Sequence, residues 1–378
     1  MSSGADADDS VPSQSLAATV LQSAEVDELG ASTVRAKFSG VRRTYVNALR
    51  RIILSEIPYI GTYRNESRTA TSVGGFVVRH NSGRLHDDIL VDRLALIPIH
   101  LTVAEVLNFI PGSITVQLTV KNEGKVSKNI TSADLQVFLF GKPHPKGSAC
   151  YPPDALSGDH ILITRLYPGE ALDVIMTLEK STPSVHAAFA VASLAALAPS
   201  LDDAAYKQRL DAINSDSSLD SAAKARALNH VQYIERERLI LQGPDGEPVS
   251  MTLTVESASG WKGHQIIEAA LEELMHKFTT SNIAYEAKVE GASLLFAISG
   301  QSHTFASVFQ DICMRDRERL KIKAIGYYVV HPLEERVIMR VEMPGGPAEA
   351  EAVVPDDLFA KLRVHCAGEL KKAFVNSE

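Results

Sequence analysis

Three groups of residues in this sequence have side chains of the kind that chemistry uses. Asp6, Asp8 and Asp9 place three carboxylates close together, a composition suited to magnesium. Magnesium demands near-octahedral oxygen ligands, and a stretch rich in Ser, Ala and Asp, with little apolar content before Leu16, has nothing to hold them in place. Residues 1–24 therefore read as an acidic tail whose charges face water. His86, Asp87 and Asp88, shortly before Arg93, offer a metal or acid–base triplet, and His186, His303 and His331 offer ring nitrogens. No Cys, Asp or third His stands at ligand spacing from His303 and His331, and His186 lies beside Ala and Phe. Packing and turn roles fit all three better than metal binding. Cys150, Cys313 and Cys366 are too few and too scattered for a four-cysteine zinc site or a disulfide framework, which fits a reducing, intracellular compartment. With no nucleophile motif and no Gly-rich phosphate loop, the expectation is no catalytic residue, no metal and no cofactor.

The 378 residues are enough for two or three domains. A formal charge of -8 and a pI near 5.9 argue against a surface that grips nucleic acid throughout, because phosphate neutralisation needs clustered Lys and Arg. No Lys or Arg precedes Arg35, so the charged start of a secretory signal is missing, and the sequons at Asn65 and Asn129 read as chance matches. The longest apolar run, Ala187 to Ala198, is interrupted by Ser193 and is too short to span a bilayer, so no membrane association is expected.

What must position any functional residue begins with Ser39 to Pro58, SGVRRTYVNALRRIILSEIP. Tyr45, Leu49, Ile52, Ile53 and Ile57 recur at steps of three and four, the stripe of an amphipathic helix, with Arg42, Arg43, Arg50 and Arg51 largely outside it. Ser39 is the expected N-cap and Pro58 the stop. Alternation over 25–38 predicts a strand or hairpin leading into this helix. The twin Gly74-Gly75 marks a turn before a strand from Phe76. From Leu101 to Asp159, alternating Ile114, Val116, Leu118, Val120 and then Leu135, Val137, Leu139 predict a small β-rich insertion. Strands follow at Ile161 to Leu178, surface helices over 199–240, then a strand from Val249 and a helix through Ile266, Leu271, Leu274 and Phe278. The last segment, 283–378, reads as strand, helix, strand hairpin and closing helix, with Leu358, Phe359, Leu362, Cys366, Leu370 and Phe374 on one face. Thr304 is the expected cap of its first helix, and the Pro332 ring requires extended backbone at His331.

NALRRIILSEIP, followed by VVRHNSGRLHDDILVDRLALIPI over Val77 to Ile99, resembles the RNA polymerase subunit family. That family contains the bacterial alpha N-terminal domain, the archaeal D subunit and the third-largest subunit of eukaryotic RNA polymerase II. Ser82, Gly83, Asp88 and Asp92 depart from its pattern. ILITRLYPGEALDVIMTLEKSTPSVHAAF and the Val255-Glu256-Ser257 strand extend the resemblance. From Ser293, SLLFAISGQSHTFASVFQDICMRD and IGYYVVHPLEERVIMRVEMP resemble the smaller partner subunit, archaeal L or the eleventh subunit of RNA polymerase II, through His303-Thr304, Tyr327 and His331-Pro332-Leu333.

The resemblance implies an α+β fold of two alpha-like dimerisation modules packed as an intramolecular pseudo-dimer. The larger module is expected over 25–100 and 160–282, with the β-rich domain 101–159 and the helical insert 199–240 within it, and the smaller module over 283–378. Tyr45, Leu49, Ile52, Ile53, Leu271, Leu274, Phe278, His303, Thr304, Phe309 and His331 are expected to join the modules. Arg50, Arg51, Asp88 and Arg93 are expected to face the two largest polymerase subunits. The implied function is a non-catalytic assembly platform of a DNA-directed RNA polymerase, with small adaptor subunits as further partners and DNA reached only through the complex. Two modules on one chain imply a large DNA virus with its own polymerase, placing the protein in host cytoplasm or nucleus and in the virion. The competing expectation is a stand-alone nucleic-acid-binding transcription regulator that uses Arg42, Arg43, Arg50 and Arg51.

Overall fold

The computed structural model describes residues 25–29, 32–64, 75–155, 157–280, 283–331 and 333–375. The acidic tail, the sequon at Asn65, Gly74 and Pro332 lie outside them. In chain order, β1 (Glu25–Leu29) and β2 (Thr33–Ser39) pair antiparallel and lead into α1 (Arg43–Ser55). Then come β3 (Tyr59–Gly61), β4 (Gly75–Asn81), α2 (Asp87–Ala95), α3 (Val103–Leu107), β5 (Ile114–Lys121), β6 (Lys128–Thr131), β7 (Gln136–Leu139), β8 (Lys142–Pro143), β9 (Leu162–Leu166), β10 (Ala171–Thr177) and β11 (Glu179–Ser181). β12 (Ala192–Pro199) precedes two helices, α4 (Asp203–Ser215) and α5 (Ser221–His230), after which β13 (Ser250–Ser257) and α6 (Gly263–Thr279) follow. The chain continues as β14 (Tyr285–Glu290), β15 (Ser293–Ser299), α7 (His303–Arg315), α8 (Arg317–Leu320), β16 (Ala324–Val329), β17 (Arg336–Glu342), α9 (Pro347–Ala352) and α10 (Pro355–Val375). Mixed helix and sheet of this kind is α+β.

Two four-stranded sheets have the same plan. One runs β1-β2-β13-β12 and the other β14-β15-β17-β16, all antiparallel. In each, two strands precede a helix, two more strands follow, the later of these inserts beside the second strand, and a last helix closes the unit. Period-two alternation makes one face of each sheet apolar. Val34, Ala36 and Phe38 stand opposite Val255, Leu253 and Met251; Leu294, Phe296 and Ile298 stand opposite Val341, Met339 and Val337, and all twelve are buried. These faces are covered by α1, α6, α7 and α10. Here α1 packs on α6 and α7, and α10 packs on α6 and α7. The buried side chains of both sheets and all four helices form one continuous core.

Between α1 and β12 the chain builds a separate sheet, ordered β4-β10-β5-β7-β8, reached through the short pair β3-β11. The strands at 75–81 and 171–177, expected in the larger module, hydrogen-bond to each other and to β5 instead. Alternation marked them as strands but carried no information about their partner. Helix limits also differ from expectation. Ser39 ends β2 opposite Ser250, so α1 starts after Arg42 without a side-chain cap and stops at Ser55, before Pro58. At α7 the cap is Ser302, whose hydroxyl accepts from the Thr304 N–H at 3.2 Å. α4 and α5 bury no residue, as expected of surface helices.

Candidate functional site

The seam between the two sheets gathers most of the residues with an expected joining role. Tyr45, Leu49, Ile52 and Ile53 on α1, Leu271, Leu274 and Phe278 on α6, and Thr304 and Phe309 on α7 are all buried. Their positions follow from helical period: each helix turns an apolar stripe onto its own sheet and onto the helices of the other sheet. Aromatic rings mark the seam. Phe278, next to last on α6, stacks on Phe305, third on α7, with centroids 4.8 Å apart, and on Phe309 at 6.3 Å. Phe374, next to last on α10, meets Tyr45, third on α1, at 6.5 Å, and Phe38 at 6.3 Å. The end of each closing helix thus touches the start of the other unit's first helix. Burial raises the Tyr45 phenol above its ordinary value, with the nearby Arg315 opposing the rise.

Polar contacts hold the rim of the seam. Arg42 Nε lies 2.9 Å from Asp311 Oδ2 on α7, and its other nitrogens face Asp245 at 3.4 Å and Glu247 at 3.5 Å. Arg51 Nε donates to Thr304 Oγ1 at 2.8 Å, so this arginine, expected on the outer surface, reaches across to the second unit. Arg363 donates to the Thr280 carbonyl at 2.5 Å. A cavity of about 520 Å³ opens beside these contacts, lined by Arg51, Lys277, His303, Glu334 and, from the segment after β11, Thr182 and Ser184.

Other expected residues lie elsewhere. Arg50 donates Nε to Asn47 at 2.9 Å on its own helix. Asp88 pairs with Arg64, and Arg93 donates to the Leu162 carbonyl at 2.8 Å, both on the exposed side of α2. His303 opens α7 but is exposed, its ring 3.3 Å from the Tyr327 hydroxyl. His331 does not join the helical seam: it is exposed in the turn after β16 and accepts from the Leu333 N–H at 3.2 Å. A ring that satisfies its own turn has no need of the partner unit. His86 caps α2 through the Asp88 N–H at 3.4 Å, and His186 caps a short turn and stacks on Tyr63 with centroids 4.9 Å apart.

Among the described residues, Asp316, His365 and Glu369 bring ligand-type atoms within 4.8 Å of one another. His365 lies 2.7 Å from Asp316, and Glu369 faces Arg315 at 3.9 Å, Arg319 at 3.8 Å and Lys372 at 2.7 Å. With that many cations at hand the arrangement is an ion-pair network between α7, α8 and α10. Sequence reading missed it, and it also missed Phe38, Phe305 and Asp311 as seam residues. Laying the 285–375 unit over the first one element by element would have exposed Phe305, which holds the place in α7 that Tyr45 holds in α1.

A family model, the RNA polymerase Rpb3/Rpb11 dimerisation domain, matches residues 35–278, well over half of the chain. The chain belongs to that family. It is accordingly an RNA polymerase subunit of the non-catalytic, assembly kind, and it associates with other polymerase subunits. The match takes in most of β2, all of α1, everything from there through β13, and nearly all of α6, and it ends before β14. No curated protein matches the chain. Among the described residues, no helix is long and apolar enough to cross a membrane.

Proposed function

We propose that this protein of the Rpb3/Rpb11 dimerisation-domain family is a fused heterodimer. Its larger module lies within 25–282 and its smaller module within 283–378, packed as an intramolecular pseudo-dimer that nucleates binding of the two largest polymerase subunits. One observation carries the reading: the Phe278–Phe305 and Tyr45–Phe374 contacts join equivalent positions in opposite senses. Reciprocity of that kind is the mark of a twofold, isologous interface, in which patch i meets patch j and patch j meets patch i. Joining the two modules replaces a bimolecular encounter by an intramolecular one, at an effective concentration in the mM range. The inserted unit is taken as about 59–191 in place of 101–159, since β3, β4, β10 and β11 pair only within it.

Within this reading Arg50, Asp88 and Arg93 face the large subunits, and Arg51 serves the seam. Small adaptor subunits and DNA are reached through the assembled enzyme. Fusion is also what supports a source in a large DNA virus, with the protein acting in host cytoplasm or nucleus and carried in the virion. The regulator reading is the poorer one because two of the four arginines it needs are already engaged, Arg42 by three carboxylates and Arg51 by a hydroxyl.

Purification of the tagged full chain from its native source tests the platform role. Two much larger polypeptides should be recovered with it, whereas a lone monomer with salt-sensitive DNA affinity would favour the regulator. The fusion itself is tested by a protease site placed between residues 280 and 283: after cutting, the two pieces should still elute together.

A further inference from the structure

Cys313 on α7 and Cys366 on α10 are both fully buried, and their sulfurs lie 3.5 Å apart although 53 positions separate them in the chain. The two helices pack directly on each other. A disulfide requires sulfurs at about 2.05 Å, so a pair already in contact needs a closure of only about 1.5 Å. Cys150 differs: it is buried beside His144, 3.4 Å from its Nδ1, and has no cysteine for a neighbour.

We propose that Cys313 and Cys366 form a covalent oxidation site, at which a small hydroperoxide closes an intramolecular disulfide that fastens α7 to α10. In the first step, with hydrogen peroxide as the hydroperoxide, one thiolate attacks an oxygen, the O–O bond breaks, and a sulfenic acid and one water form once the leaving hydroxide is protonated. In the second, the neighbouring thiol displaces the sulfenic hydroxyl as a second water. Two thiols lose two electrons in total, and the peroxide gains them. Burial, the adjacent Cys313 thiol and Asp316 all raise the Cys366 thiol well above its ordinary value, which keeps thiolate scarce and the reaction slow. Full burial excludes bulky disulfide oxidants and leaves a small peroxide as the fitting reagent. The cross-link would tie together the helices that carry Phe305, Phe309 and Phe374 into the seam. It does not depend on the polymerase reading.

The test uses the full chain treated with hydrogen peroxide, denatured, alkylated and digested with trypsin. The expected product joins the Val289–Arg315 peptide to the Val364–Lys371 peptide, with loss of two hydrogens, and separates on reduction, while Cys150 is recovered alkylated. Oxidised protein should melt about 5 °C or more above reduced protein, and Cys313→Ser and Cys366→Ser should each abolish that difference. Recovery of Cys313 and Cys366 as free thiols, as sulfinic or sulfonic acids, or in links between chains would overturn the proposal. The wild-type peptide map decides the matter even where a serine variant folds poorly.

Discussion

The unit built on β1, β2, β12 and β13 and the unit built on β14 to β17 share one strand order, yet they differ in what their connections carry. In the second unit, α7 leads to β16 through a single short helix, and β16 and β17 are joined by a short turn. In the first, the chain leaves after α1 to build a five-stranded sheet before returning as β12, and leaves again for α4 and α5 before β13. Both excursions begin and end at the ends of helices and strands. The helical stripes that meet across the seam are uninterrupted in either unit, and the lesson is physical. Long connections cost little because closure entropy grows slowly with length, whereas a break in a buried stripe would forfeit packing at each large side chain.

Substitutions that attack the shared seam are the strongest way to break this comparison. Phe278→Ala and Phe374→Ala should each destabilise the chain by about 3–5 kcal/mol in urea unfolding, since each removes a fully buried ring packed against aromatic rings of the other unit. If one were neutral, the seam would not be reciprocal. Next in size is Gly263→Ala at the start of α6. A β-carbon there would sit 2.0 Å from Val34 Cγ1, and the forced shift should cost about 1–3 kcal/mol in the same assay.

Smaller effects sharpen the comparison at the rim and in the insertions. A double-mutant cycle on Arg42→Ala and Asp311→Ala should return a coupling of about 1 kcal/mol or less, because both side chains keep some exposure to water. Glu105, which caps α3 in the inserted sheet, offers a pH test. Burial pushes its carboxyl up, but bonds from Lys146 and Thr102 outweigh this and hold it at about 2, below the ordinary 4.5. Its folded value is depressed, so its stabilisation is full above 4.5 and fades as pH falls toward 2. Denaturation at pH 5 and at pH 2.5 should show that loss, and Glu105→Gln should lessen it. Least affected will be Tyr233→Ser beyond α5, where the ring is 74% exposed; its change should stay within about 0.5 kcal/mol.

Much of the helical seam was legible because helical period is a local property: Leu49, Ile52, Leu274 and Phe278 declare their common face within a few turns. Caps were less so. Ser39 and Ser302 are equally good cap residues by type, and only the pairing of Ser39 with Ser250 assigns the first to a strand. Arg51 could be seen to lie off its stripe, but its partner Thr304 is 253 residues away. The strands at 75–81 and 171–177 were visible by alternation, while the sheet that takes them depends on hydrogen bonds between distant backbones.

By itself the amino-acid order determined which segments are helix or strand, which face of each is apolar, and which polymerase family they resemble, since these follow from neighbours along the chain. Tertiary structure alone decided that Phe278 meets Phe305 while Phe374 meets Tyr45, that Arg42 is neutralised by Asp311, and that Cys313 touches Cys366. Those contacts join residues far apart in sequence, and no local periodicity encodes which apolar face will cover which.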